Sequence, residues 1–158
     1  MDAIADTTVL TNFALIKGEE ILRKVFKGSL FTTEAVLKEL RQGEDKRLFP
    51  KRDWKWLKAL KIESDDEKQA FKLINQRLGA GESSCLALAI YHNLKVLTDD
   101  LDARRYAQKR GLAVSGTIGV LVIAVKNEII SLRDGNRFLS ELTEYGYYSP
   151  YGKLDELL

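Results

Sequence analysis

Short apolar runs alternate along this chain with stretches in which apolar residues recur every three or four positions, the signature of strands alternating with helices. Ala3, Ile4 and Ala5 predict a first strand, and Val9, Leu10, Phe13 and Ala14 then follow helical spacing, so a helix begins at Thr7 or Thr8. Gly18 interrupts, and Ile21, Leu22, Val25 and Phe26 predict a second short helix ending near Gly28. Residues 29–32 read as a second strand. Thr33 is placed to cap a helix that carries Val36, Leu37 and Leu40 on its buried side and ends at Gly43. Residues 44–61 are the least regular, with Pro50 among them, and residues 60–62 read as a short strand.

The second half is more strongly patterned. Ser64 and Glu67 have capping-box spacing and open a helix that runs to Leu78 with Phe71 and Ile74 on its apolar face. Gly79 and Gly81 break it. Residues 82–93 read as a helix, 94–98 as a strand, 101–110 as a helix closed by Gly111, and 113–115 as the last strand. Residues 118–125 suit a buried strand by their β-branched content and a buried helix by their longer span to Glu128; the helix is preferred. A last helix covers 132–142, followed by a tail over 143–158 with tyrosines at 145, 147, 148 and 151. This alternation predicts an α/β fold around a parallel sheet. No repeat or linker divides the chain, so residues 1–158 are read as a single domain.

With 45% hydrophobic residues, 158 residues are enough for a substantial core. The net charge of +2 neither demands nor forbids a polyanionic partner, so local charge must decide. One cysteine excludes an intramolecular disulfide, and the start Met1-Asp2-Ala3 lacks the basic and apolar stretch of a secretory signal. No apolar run approaches the ~20 residues that cross a bilayer. A cytoplasmic protein with no membrane partner is expected.

Acidic residues recur at one kind of address. Asp6 ends the first strand, Asp99 and Asp100 end another, Glu39 lies one turn inside the helix after a third, and Glu82 opens an apolar helix. In an open parallel sheet ligands bind outside the carboxyl ends of the strands. Carboxylates converging there repel one another, and a hard divalent cation with oxygen ligands relieves the repulsion. Asp6 and Asp100 also stand where helix caps stand, a role worth about 1 kcal/mol. Glu82 shares a helical face with Leu86, Ala89 and Ile90, where an unpartnered carboxylate is costly.

These residues carry a family resemblance. Asp6-Thr7-Thr8-Val9-Leu10 resembles the opening of PIN-domain nucleases, and Glu39 within Val36-Leu37-Lys38-Glu39-Leu40 resembles their second acidic position. Gly79-Ala80-Gly81-Glu82 resembles the third and Leu97-Thr98-Asp99-Asp100 the fourth, a Thr-x-Asp motif. Gly116-Thr117-Ile118-Gly119-Val120-Leu121 and Gly146-Tyr147-Tyr148-Ser149 are similar to a branch related to VapC-type toxins. Many members carry Asp where this chain has Glu82. Asp100 matches the fourth position, with Asp99 as the alternative ligand and Asp102 as an outer one.

The resemblance implies a PIN-like three-layer α/β/α sandwich and Mg²⁺- or Mn²⁺-dependent cleavage of RNA. Its metal and catalytic residues are Asp6, Glu39, Glu82 and Asp100, with Asp99 as a further metal ligand; Thr7, Thr8, Asn12, Thr98 and Thr117 position ligands or phosphate. It also implies RNA as substrate, an antitoxin protein as partner and a homodimer. A PIN-like RNA- or protein-binding module with weak catalysis is the alternative.

Lys51, Arg52 and Trp54 lie in a segment that interleaves basic and aromatic residues, suited to phosphate contacts and base stacking, and Arg104 and Arg105 follow Asp100 on the next helix. A single histidine, His92, excludes a multi-histidine zinc site, and Cys85 falls on an apolar helix face. Asp100-Leu101-Asp102 also fits the Asp-x-Asp start of haloacid-dehalogenase-type phosphatases, but that reading leaves Asp6 and Glu82 unexplained. No phosphate-binding Gly-x4-Gly-Lys-Ser/Thr loop is present.

Overall fold

The central strand is three residues long and completely buried. A computed structural model describes residues 1–158. The elements in chain order are β1 (Ala3–Ala5), α1 (Thr7–Leu15), α2 (Glu19–Phe26), β2 (Leu30–Thr33), α3 (Glu34–Asp45), β3 (Lys58–Leu60), α4 (Asp65–Ile74), α5 (Ala80–His92), β4 (Lys95–Leu97), α6 (Leu101–Lys109), β5 (Val114–Ser115), α7 (Thr117–Lys126) and α8 (Leu132–Glu144), with a final 3₁₀ helix, Leu154–Leu157. All strand pairs are parallel in the order β3-β2-β1-β4-β5. After β1 the chain adds β2 and β3 on one side, then crosses to add β4 and β5 on the other. That switch opens a crevice at the carboxyl ends of β1 and β4, where ligands bind in sheets of this kind.

Helices on both faces complete a three-layer α/β/α sandwich. α5 packs against β1, β2 and β4 and is itself flanked by α3, α4 and α6, while α7 contacts α1, α2 and α8. No helix is long and apolar enough to cross a membrane.

Most sequence expectations hold to within a residue or two. The Ser64–Glu67 capping box is present, with the Glu67 amide donating to Ser64 Oγ at 3.1 Å and the Ser64 amide to Glu67 Oε1 at 3.3 Å. Residues 117–126 are helical, with Val120, Leu121 and Ala124 buried. Cys85 is fully buried in the core.

Three expectations require correction. β3 lies two residues earlier than predicted, because pairing with β2 (Thr32 opposite Ala59) sets its place, and only Leu60 of its three residues is even half-buried. α4 stops at Ile74 rather than Leu78, and residues 75–77 form turns with a bend at 78. α3 continues through Gly43 to Asp45. Gly43 does not terminate the helix; it admits the Phe49 ring, since a Cβ at this position would lie 2.5 Å from Phe49 Cε1.

Gly43→Ala tests that packing. Alanine is the better helix former by about 1 kcal/mol, whereas forcing a buried ring aside costs about 1–3 kcal/mol. We expect net destabilisation in urea unfolding, relieved when Phe49→Leu is added. A stabilised single variant shows that Phe49 does not seat there.

Candidate active site

Asp6 and Thr98 stand side by side because β1 and β4 end together. Ala5 pairs with Leu97, and the Asp6 amide extends the ladder to the Leu97 carbonyl at 3.1 Å. Asp6 is fully buried. Its Oδ1 accepts hydrogen bonds from Thr8 Oγ1 at 2.6 Å and the Val9 amide at 3.3 Å, and its Oδ2 accepts one from Thr98 Oγ1. The same Thr98 hydroxyl accepts from the Asp100 amide at 3.1 Å, and Asp100 caps α6 by accepting from the Ala103 amide at 2.8 Å. Asp6 and Asp100 are therefore caps and neighbours at one sheet edge.

Glu39 and Glu82 approach from α3 and α5. Thr7 Oγ1 donates to Glu39 Oε1 at 2.5 Å, tying the start of α1 to α3. Gly81 allows α5 to close on this pair, since a Cβ there would lie 2.1 Å from Glu39 Oε1 and 2.9 Å from Thr7 Oγ1. Glu82 Oε2 accepts from the Gly79 amide at 3.0 Å. Glu82 does not lie on a one-sided apolar face as its spacing suggested. α5 is buried all round from Ser83 to Ala89, and Glu82 is half-buried in its first turn. Thr7, Thr8, Thr11, Asn12, Glu39 and Glu82 line one open cleft of about 520 Å³ with no hydrophobic residue in its wall.

None of Asp6, Glu39, Glu82, Asp99 or Asp100 belongs to an ion pair. Burial pushes the Asp6 carboxyl up to about 7, against the hydrogen bonds from Thr8, Thr98 and Val9, with the Glu82 charge adding to the rise. Burial also raises Glu82, reinforced by Asp100 and opposed by the Gly79 amide, with smaller contributions from Glu39 and Asp102. The acids thus feel one another across the edge. No three of them meet at a point from which they hold a cation as they stand, and each accepts a hydrogen bond from a hydroxyl or an amide. The donors are all oxygens and none is in an ion pair, a set that fits a hard ion such as Mg²⁺ or Mn²⁺.

Asp99 faces the other way. Its Oδ1 accepts from the Thr117 amide at 2.9 Å, and its Oδ2 accepts from Asn12 Nδ2 at 2.9 Å and from Thr117 Oγ1. Its own amide donates to Thr8 Oγ1 at 2.9 Å. Thr7, Thr8, Asn12, Thr98 and Thr117 therefore all bond directly to one of the predicted acids or to its backbone. Sequence reasoning missed Thr11, and it gave Gly81 and Gly116 only as parts of motifs, without their packing role. A Cβ on Gly116 would meet Asp99 Oδ1 at 2.4 Å, and only Gly81, next to Glu82, stood beside an acidic motif where the sequence could signal it.

The basic–aromatic segment is not at this edge. Trp54 is 8% exposed, packed into the core and tilted against Trp56, so its face is closed to a base. Arg52 is committed to Glu19 through Nε, at 2.8 Å, and Nη2. Lys51, Arg52 and Trp54 line a hollow with Leu37, Leu40, Arg41 and Glu44, the side of α3 turned away from Glu39 by the helical repeat. Arg104 is nearer, with Nη1 donating to the Thr98 carbonyl at 2.9 Å, whereas Arg105 is exposed beside Asp102.

Asp6 gives a pH signature. Its unfolded carboxyl titrates near 3.8 and its folded one near 7, so the folded state binds the proton more tightly. Stability contributed by Asp6 falls as pH rises between those values and levels off above them, by on the order of a few kcal/mol. Asp6→Asn keeps the cap and can donate to Thr98. We expect thermal denaturation of this variant to show a higher melting temperature than the parent at pH 8 and a smaller difference at pH 5. A variant that is less stable at both values assigns Asp6 a purely structural role.

A family model described as a PIN domain matches residues 2–158, nearly the whole chain. No curated protein matches. The parallel sheet between two helical layers and the acids at its switch point agree with a nuclease-type fold, and the chain belongs to the PIN-domain family.

Proposed function

We propose that this protein is a Mg²⁺- or Mn²⁺-dependent endoribonuclease whose site comprises Asp6, Glu39, Glu82 and Asp100. One observation carries the reading: carboxylates from four distant segments gather at the sheet's switch point with no ion pair to offset them. A bound ion supplies Lewis acidity and acidifies a water. The protein's part is to hold the carboxylates ready. Thr8 and Thr98 orient Asp6, Thr7 holds Glu39, and the Gly79 amide holds Glu82. Asp99 accepts from Asn12 and Thr117, and Asp100, which matches the Thr-x-Asp motif and whose charge reaches Glu82, is taken as the fourth ligand with Asp99 as the alternative. In hydrolysis a water oxygen bonds to phosphorus, the bond from phosphorus to a ribose oxygen breaks, and that oxygen takes up a proton. Glu82, half-buried in the cleft with a raised carboxyl, accepts the proton the water loses.

The resemblance of Gly116–Leu121 and Gly146–Ser149 to VapC-related proteins supports a cytoplasmic toxin, one PIN-like domain over residues 1–158, dimeric and restrained by an antitoxin. A second reading, an RNA- or protein-binding module with weak catalysis, draws support from the engagement of both Asp6 oxygens and the lack of a ready three-carboxylate cage.

Purified protein should cleave single-stranded RNA with Mn²⁺ or Mg²⁺ and stop with EDTA. Asp6→Asn and Glu82→Gln should each lower the cleavage rate by about a hundredfold or more, the scale of a lost general acid–base or metal-supporting group. RNA bound but never cut favours the second reading. Cleavage that survives EDTA contradicts the metal-dependent one.

A further inference from the structure

Beside the carboxylate cleft lies a second hollow that the hydrolytic chemistry does not use. It has a volume of about 600 Å³ and is walled by Leu101, Val114, Ile118, Tyr147, Tyr148 and Tyr151, with Arg104 and Asp99 as its charged groups. Asp99 Oδ2 accepts from Asn12, which lines the carboxylate cleft, so the two hollows are one side-chain contact apart.

The tyrosines are held in place. Gly146 turns the chain after α8 at φ +97°, and Tyr147 packs against the core with its amide bonded to the Leu142 carbonyl at 3.0 Å. Ser149 Oγ donates to the Tyr151 carbonyl at 2.7 Å and accepts from the Tyr151 amide at 3.0 Å. Beyond them Leu154 is fully buried, and its amide donates to Asn136 Oδ1 at 2.7 Å. Gly135 permits this docking, since a Cβ there would lie 2.8 Å from Leu154 Cδ1. The tail is a strap pinned at both ends.

On this fixed strap Tyr148 is 83% exposed, and Leu101, which shares the hollow, is 65% exposed. Their placement gains the fold almost no apolar burial. Arg104 uses Nη1 on the Thr98 carbonyl and has no carboxylate partner, which leaves guanidinium donors for an anion. Aromatic faces on a pinned backbone with an unpaired arginine are the elements that bind single strands, by base stacking and phosphate contact. The volume lies within the ~300–1,000 Å³ of small-ligand pockets.

We propose that this hollow is a nucleotide subsite, which stacks one base of a single-stranded nucleic acid on Tyr148 and Tyr151 and takes the adjoining phosphate on Arg104. The identity of the ligand rests on the nuclease reading, and the subsite would hold the nucleotide flanking the scissile phosphate.

The test uses the full chain in EDTA with single-stranded RNA of about ten nucleotides, carrying 2-aminopurine at each position in turn. Binding should quench the fluorophore at one position. Tyr148→Ala with Tyr151→Ala should abolish that quenching and weaken binding about tenfold. An abasic site at the same position should weaken the parent equally and the double variant no further, and in a separate melt without EDTA any shift caused by Mn²⁺ should be the same in the double variant as in the parent. RNA binding that is absent, or indifferent to both tyrosines, overturns the proposal. Cleavage with unaltered KM in the double variant overturns the subsite alone. Quenching without cleavage sinks the enzyme reading and supports the subsite.

Discussion

The parallel pairing of β1 with β4 is the constraint on which the site depends. Ala3, Ile4 and Ala5 are completely buried, and the register that pairs Ala5 with Leu97 brings Asp6 beside Thr98. From that contact the polar network spreads through Thr98 to Asp100, through Thr8 to Asp99, and through Asp99 to Asn12 and Thr117. A carboxylate buried at such a point is costly unless hydrogen bonded. Two hydroxyls and an amide supply those bonds to Asp6 but no positive charge.

Two glutamates show how far the surroundings of this edge differ from those of an ordinary helix start. Glu67 and Glu82 each reach back to the amide three residues before them, in the first turn of α4 and of α5. The Glu63 amide chiefly, with Ser64 and His92, lowers the Glu67 carboxyl. Burial and then Asp100 raise that of Glu82, despite its amide donor. The same local role thus yields opposite shifts. Amide donors dominate at Glu67, whereas burial, reinforced by Asp100, dominates at Glu82. Elsewhere, Glu19 is paired with Arg52, and Glu67 bonds to His92.

Features with a local physical cause were legible in the sequence. The α/β layering, the capping box at Ser64, and the strand-end addresses of Asp6 and Asp100 follow from periodicity and cap chemistry, which act over a few residues. Features set by distant packing were not. α5 is enclosed on every side, so its spacing misassigned the face of Glu82. Gly43 reads as a helix end until the Phe49 ring is seen against it. Trp54 reads as a stacking platform until the core closes over it. The partners of Asp99, which include Asn12 and Thr8 from the other end of the chain, were likewise invisible to local patterning.

The central claim is that this edge gathers its acids to hold a divalent cation. Crystals soaked in Mn²⁺ and measured for anomalous scattering test it most directly. The account predicts a peak among the Asp6, Glu39, Glu82 and Asp100 carboxylates, lost in Asp6→Asn with Glu82→Gln. A peak elsewhere, or none at millimolar Mn²⁺ above the pH where Asp6 ionises, would contradict it.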